Sequence, residues 1–224
     1  MVKIGISSGW LFAKGHTKIK EQNRFIQLVD GVELSITRNR RFNTYDSSIS
    51  SSYTSFHLSP KKSHIPQVIK LNKIHKPSVA VLHSDTYTDE LIQKYRKNNV
   101  PISIENMDIR KDSGYKVNEL DKILNKHDVT FTLDIQHAYE HDSSMKYAWE
   151  LVEMAGDHLQ ELHVSGETEN NIHSLIHNAD NKETISKFIK EFYNTGRDTP
   201  MIIEGEYNSI NDINKEYNLL NNIV

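Results

Sequence analysis

Seven side chains able to hold a divalent cation occupy the same kind of position along the 224-residue sequence: Glu33, His57, His83, Glu105, Asp134, His163 and Glu204 each lie in the later part or at the end of a short run of β-strand character. Imidazole mixed with carboxylate suits zinc, manganese, iron or cobalt, whereas oxygen ligands alone would point to magnesium or calcium. Glu105, Asp134, His163 and Glu204 make a mixed four-ligand set. His57 and His83 end neighbouring runs, and His137 follows Asp134 in an Asp-x-x-His spacing, so there are donors for more than one ion. Any one such residue is more often solvated or hydrogen-bonded than a ligand. Together they share a register and one end of the strands, and carboxylates buried side by side without cations would repel one another and lose their hydration. The pattern therefore predicts metal binding.

Other polar residues are less specific. His173 and His177 lie in the long connection after the seventh strand at a spacing that would share a helix face, and His173 is the better candidate ligand. Glu33 and Glu206 could each form a simple salt bridge, and Glu206 falls one step beyond the strand end. His16, His64, His75, His127, His141 and His158 sit at predicted helix ends or turns, where exposure or the helix dipole accounts for them. Arg38, Arg40 and Arg41 could meet a phosphate, although a solvated charge run is the better reading.

Strand and helix patterns alternate along the whole chain. Strands are read at 2–7, 31–36, 53–58, 78–83, 100–105, 128–134, 159–164 and 200–205, and helices near 16–29, 64–75, 88–98, 116–126, 143–155, 182–194 and 210–222. Only the connection 37–52 is too polar for a full helix, and its serine-rich part, 47–52, reads as a loop rather than a linker. Strict alternation predicts an α/β fold, a compact (β/α)8 TIM barrel with its second helix reduced, formed by residues 1–224 as a single domain. In such a barrel alternate strand residues face the interior. That register puts Thr130, Thr132 and Asp134, Ser103 and Glu105, Glu161 and His163, and Glu204 inside, with Ile102, Ile104, Phe131, Leu133, Leu162, Val164, Met201 and Ile203 outside.

The bulk composition narrows the function. Lys plus Arg total 27 against 30 for Asp plus Glu, a net charge of −3, so nothing supports a nucleic-acid partner although a local patch would permit one. The absence of cysteine excludes disulfides, thiolate metal sites and a cysteine nucleophile. With no apolar stretch of membrane-spanning length and no leader-like start, the expectation is a soluble, cytoplasmic protein acting on a small molecule.

In order, GVEL at Gly31, SFHLS around His57, VLHS at His83, SIENM around Glu105, TLDIQHAY around Asp134 and His137, ELHVSG around His163, NIHSL around His173 and MIIEGE around Glu204 resemble the xylose-isomerase-like barrel superfamily over nearly the whole chain. The resemblance implies a metal-dependent isomerase or epimerase of a small sugar, sugar phosphate or hydroxy-carbonyl compound. Glu105, Asp134, His163 and Glu204 would hold a divalent ion, Glu105 and Glu204 would move a proton through an enediolate, and His137 would contact substrate. The endonuclease IV branch is similar in a fuller ligand set, His57, His83, Glu105, Asp134, His137, His163, His173 and Glu204, for up to three ions with Glu105 bridging two. It has an Asp where this chain has Asn171, a Tyr-Leu pair where this chain has Pro60-Lys61, and a Gly-x-Gly after the last loop histidine that is missing here. The runner-up is thus an abasic-site phosphodiesterase. Multinuclear iron oxidases that modify peptides, similar at ELHVSG, and a non-catalytic metal-binding barrel are further alternatives.

Overall fold

The computed structural model describes residues 1–37, 43–45, 47 and 49–224. Eight parallel strands close into a barrel: β1 (Ile4–Ser7), β2 (Gly31–Ile36), β3 (Tyr53–Leu58), β4 (Val79–His83), β5 (Ile102–Glu105), β6 (Thr130–Asp134), β7 (Leu159–Val164) and, after a two-stranded hairpin of β8 (Gly166–Thr168) and β9 (Asn171–Ser174), the last stave β10 (Met201–Ile203). Each barrel strand pairs with its sequence neighbour, and β1 pairs with β10 to close the ring. This is the closed parallel barrel expected from the alternation of elements.

The helices are α1 (Ser8–Ala13), α2 (Ile19–Ile26), α3 (Ile65–His75), α4 (Asp89–Arg96), α5 (Val117–His127), α6 (Ile135–His141), α7 (Lys146–Ala155), α8 (Lys182–Asn194) and α9 (Ile210–Ile223). Their starts carry local signals: the Thr88 hydroxyl accepts from Leu91 N at α4, and Ser209 and Asp212 form a capping box at α9. Outward strand residues such as Ile6, Leu34, Phe131, Leu162 and Ile203 are buried against these helices.

Two short helices depart from the sequence reading. Both α1 and α6 start directly at the end of a strand, too short for a hydrophobic period to register, and α6 is capped by Asp134 itself, whose Oδ1 accepts from His137 N at 2.7 Å. The hairpin β8–β9 occupies what the sequence presents only as a connection. In segment 37–52 a single 3-10 turn, Asn43–Tyr45, is described; it buries Tyr45, whose hydroxyl donates to Ser8 Oγ at 2.6 Å. Arg38, Arg40 and Arg41 lie outside the described residues.

Inside the barrel the inward side chains form layers. At the N-terminal end Tyr53, Val79 and Ile202 make a small apolar plug. Gly31 admits it, because a Cβ there would lie 3.0 Å from Tyr53 Cβ. Above the plug are Ser55, Ser103, Thr132 and Glu161, all buried, with Ser103 Oγ 2.7 Å from Thr132 Oγ1. The top layer is acidic and imidazole.

Candidate metal centre

Strand register brings the top layer together. His83 is paired with Glu105 and Asp134 with His163 across adjacent strands, so four of the predicted donors stand side by side before any side chain is considered. Glu204 lies just past β10, where its N–H donates to Val164 O at 2.9 Å, and its carboxylate reaches back over His163. Trp10, on α1, donates its indole N–H to Glu204 O at 2.6 Å and ties that segment to the helix that follows the adjacent strand β1.

His163 is the centre of the cluster and fully buried. Its Nδ1 lies 2.9 Å from Glu105 Oε1 and 3.4 Å from Glu204 Oε2, and its Nε2 lies 3.2 Å from both Glu33 Oε2 and Glu161 Oε1. His57 faces the same carboxylates, with Nδ1 3.1 Å from Glu33 Oε2 and 3.6 Å from Glu204 Oε1, while its Nε2 is 2.8 Å from His83 Nε2. His83 Nε2 is in turn 3.4 Å from Glu105 Oε2. Among the described residues three groups have donor atoms within 4.8 Å of one another: Glu105, Asp134, His163 and Glu204; His57, His83 and Glu105; and Glu33, His57, His163 and Glu204. Donors on one zinc-sized ion stand at most about 4.4 Å apart, so small side-chain adjustments would enclose an ion in each.

Two observations show that this donor set fits cations. Among the described residues Glu105 Oε2 and Asp134 Oδ2 are buried without a hydrogen-bond partner, although His83 Nε2 stands 3.4 Å from the former, and leaving such an oxygen unpaired costs about 1–3 kcal/mol. The electrostatics agree. Burial pushes Glu105 upward, but the His163, His83 and His57 imidazoles outweigh it and hold the carboxyl at about 2. Burial likewise opposes ionisation of Glu204, yet His163 and His57 keep it well below the usual range. Burial disfavours the imidazolium of His57, and Glu33 and Glu204 reverse this to raise it well above the ordinary range; Glu204, Glu105 and Glu33 do the same for His163. Asp134 moves up, chiefly through burial. Protons on imidazoles neutralise the carboxylates here as cations would.

Other predicted residues are placed apart. His137 and His173 lie in none of the three groups. The His137 ring donates Nδ1–H to Asn106 O at 2.9 Å, leaving Nε2 3.9 Å from Asp108 Oδ2. His173 sits on β9 with Nδ1 3.2 Å from Ser165 Oγ and its ring edge-on to His137 at 5.7 Å. Asn171 accepts from His173 N and donates to Glu206 Oε2, so its amide is spent between the hairpin and the segment after β10. His177 bonds Glu216, and Glu206 pairs with Lys14. The six histidines assigned to helix ends and turns stay away from the centre, but His64 and His127 are buried rather than exposed. His75, His141 and His158 donate to backbone carbonyls instead of relying on exposure.

Sequence reasoning undervalued Glu33, which is fully buried, accepts from Ser7 Oγ at 2.7 Å and joins a four-donor group. Its inward register was the available signal. It also passed over the role of Glu161, whose inward position was read without a partner.

Above the donors a cavity of about 390 Å3 opens at the C-terminal end of the barrel, lined by Trp10, His57, His83, Glu105, His137 and Glu204 among others. Its volume suits a small molecule.

No protein-family model and no curated protein matches the sequence. Solved structures do match over the full length. A xylose isomerase domain-containing protein from Salmonella typhimurium superposes with a TM-score of 0.66 at 13% identity, covering 99% of this chain and 97% of that one. The 3-keto-D-glucoside 4-epimerase of E. coli gives 0.67 at 11% identity over 100% and 99%. The fold they share with this chain is the (β/α)8 TIM barrel. D-psicose 3-epimerase from Clostridium cellulolyticum shares it too, with a TM-score of 0.60 at 12% identity over 98% and 97%. Among the described residues no helix is long and apolar enough to cross a membrane.

Proposed function

We propose that this barrel is a divalent-metal-dependent isomerase or epimerase acting on a small sugar, sugar phosphate or hydroxy-carbonyl compound. The observation that carries the reading is the pair Glu105 and Glu204, two carboxylates gathered by one imidazole nitrogen of His163 and lining one small-molecule-sized cavity. Glu105, Asp134, His163 and Glu204 would hold the ion. Bound there, a divalent cation supplies Lewis acidity, drawing charge from a substrate carbonyl and making the neighbouring C–H acidic.

The protein's own groups complete the chemistry. Both carboxyls are held ionised, so either can accept the proton from carbon; the acid so formed can return it in an isomerisation, while an epimerisation needs the other carboxylate to take up a proton from solvent before delivering it. His137, with Nδ1 committed to Asn106 O, presents Nε2 toward the cavity as a contact for a substrate oxygen. Trp10 walls the cavity and, through its bond to Glu204 O, fixes the segment that carries the second carboxylate. The kinship in fold with two sugar epimerases supports the same reading at the level of architecture.

Proton transfer at carbon gives the test. Protein loaded in turn with Mn2+, Co2+ or Zn2+ and incubated in D2O with a panel of ketoses, aldoses and their phosphates should exchange deuterium into at least one substrate, and a chelator should stop it. Absence of exchange throughout the panel would refute the proposal.

A second reading has its own observation. The His57, His83 and Glu105 group abuts the first quartet and shares Glu105 with it, the arrangement expected of a carboxylate bridging two ions. It favours a metal-dependent phosphodiesterase acting on abasic DNA. Chelator-sensitive incision of an abasic duplex, with no sugar exchange, would select it.

A further inference from the structure

Beneath the cavity a buried carboxylate remains that none of the chemistry above uses. Glu161 is fully buried on β7, two residues before His163 and in the same inward register, yet it does not line the cavity. Its Oε1 lies 3.2 Å from His163 Nε2, and its Oε2 accepts from the Tyr53 hydroxyl at 2.8 Å. Tyr53 is held in turn by the plug with Val79 and Ile202. An ionisable group in such a place is costly to bury and needs a reason.

We propose that Glu161, backed by Tyr53, is a positioning residue: it holds the Nε2–H of His163 so that Nδ1 alone points up at the site formed with Glu105, Asp134 and Glu204. An imidazole on a single bond could rotate or exchange tautomers, and either change would turn the wrong edge to an ion. A carboxylate on the opposite nitrogen selects the tautomer, orients the ring and increases the basicity of the ligating nitrogen. The Tyr53 hydroxyl occupies Oε2, which leaves Oε1 to the ring. Glu33 also reaches Nε2 at 3.2 Å, but it is divided among Ser7, His57 and His163, whereas among the described residues Glu161 bonds Tyr53 and His163. The inference rests on His163 being a ligand, as the proposed function does, and not on which reaction follows.

The test titrates full-length, metal-stripped protein with Co2+, following the Kd and the visible absorption of the bound ion, alongside Tm in chelator. Glu161→Leu removes the acceptor at similar volume, and Glu161→Gln keeps an acceptor oxygen. The expected order of affinity is wild type, then Glu161→Gln, then Glu161→Leu, with about 10- to 100-fold between the ends and an altered Co2+ spectrum in the leucine variant. Space-filling alone would move Tm and leave spectrum and Kd as they were. A Glu161→Leu protein that binds Co2+ with the wild-type Kd and spectrum overturns the inference while leaving the metal site standing. Wild-type protein that binds no Co2+ overturns both. If Glu161→Leu does not fold, Tyr53→Phe carries the test: a several-fold weaker Kd supports the inference, and an unchanged Kd and spectrum overturn it.

Discussion

Glu105→Gln removes one negative charge from the point where two of the donor groups meet, while preserving shape. Two separate effects follow. In the metal-free protein, a carboxyl held at about 2 instead of its ordinary 4.5 reflects about 3 kcal/mol favouring the ionised form, and that contribution is present above pH 4.5 and lost as pH falls toward 2. At neutral pH the glutamine variant should therefore be less stable than wild type in chelator by up to about 3 kcal/mol, which for a chain of this size is about 2–4 °C in Tm per kcal/mol. The second effect concerns the ions. Both groups containing Glu105 lose a charged ligand, so metal retained after dialysis should fall, and activity with it. Scanning calorimetry with and without chelator, with elemental analysis of the same samples, separates the two. A Glu105→Gln protein with the metal content and both melting temperatures of wild type would refute the assignment of this carboxylate to the centre.

Three further outcomes follow. His57 and His163 have folded values raised above 6.5, so their stabilisation of metal-free protein is present below that pH and lost as pH rises through the raised values, while ions require the neutral rings; the Tm gap between loaded and chelated protein should widen from pH 6 to 8, and a gap that stays constant or narrows contradicts the ligand assignment. Gly31→Ala forces a Cβ to within 3.0 Å of Tyr53 Cβ and 3.1 Å of Tyr53 O, which should destabilise by about 1–3 kcal/mol; an unchanged denaturant midpoint would show that the plug yields freely. Trp10→Phe deletes the hydrogen bond to Glu204 O, and kcat/KM should fall roughly tenfold with metal content retained, a full-activity variant being the contrary result.

Much of this architecture was legible along the chain. Alternation of strand and helix patterns is a local property, and so is the two-residue period that placed Ser103 and Glu105, or Thr132 and Asp134, on one face with Ile102, Ile104, Phe131 and Leu133 on the other. What escaped was short or context-dependent. The helices α1 and α6 span less than two turns, and the hairpin β8–β9 gains its second strand only through contact with the first. Buried His127 resembles a surface histidine in sequence because its partner, Asp89, comes from another helix.

By itself the sequence determined the strands, the inward face of each and the chemical type of the donors, since these depend on residues two to four positions apart. Which donors come within reach of one another was decided only by closure of the ring. Closure sets Glu33 beside His57 and His163, puts Glu161 and Tyr53, 108 positions apart, within hydrogen-bond distance, and leaves His137 and His173 outside the three groups. The physical reason is that an ion's demands are measured across the barrel in ångströms, and those distances follow from the stagger between staves rather than from any spacing along the chain.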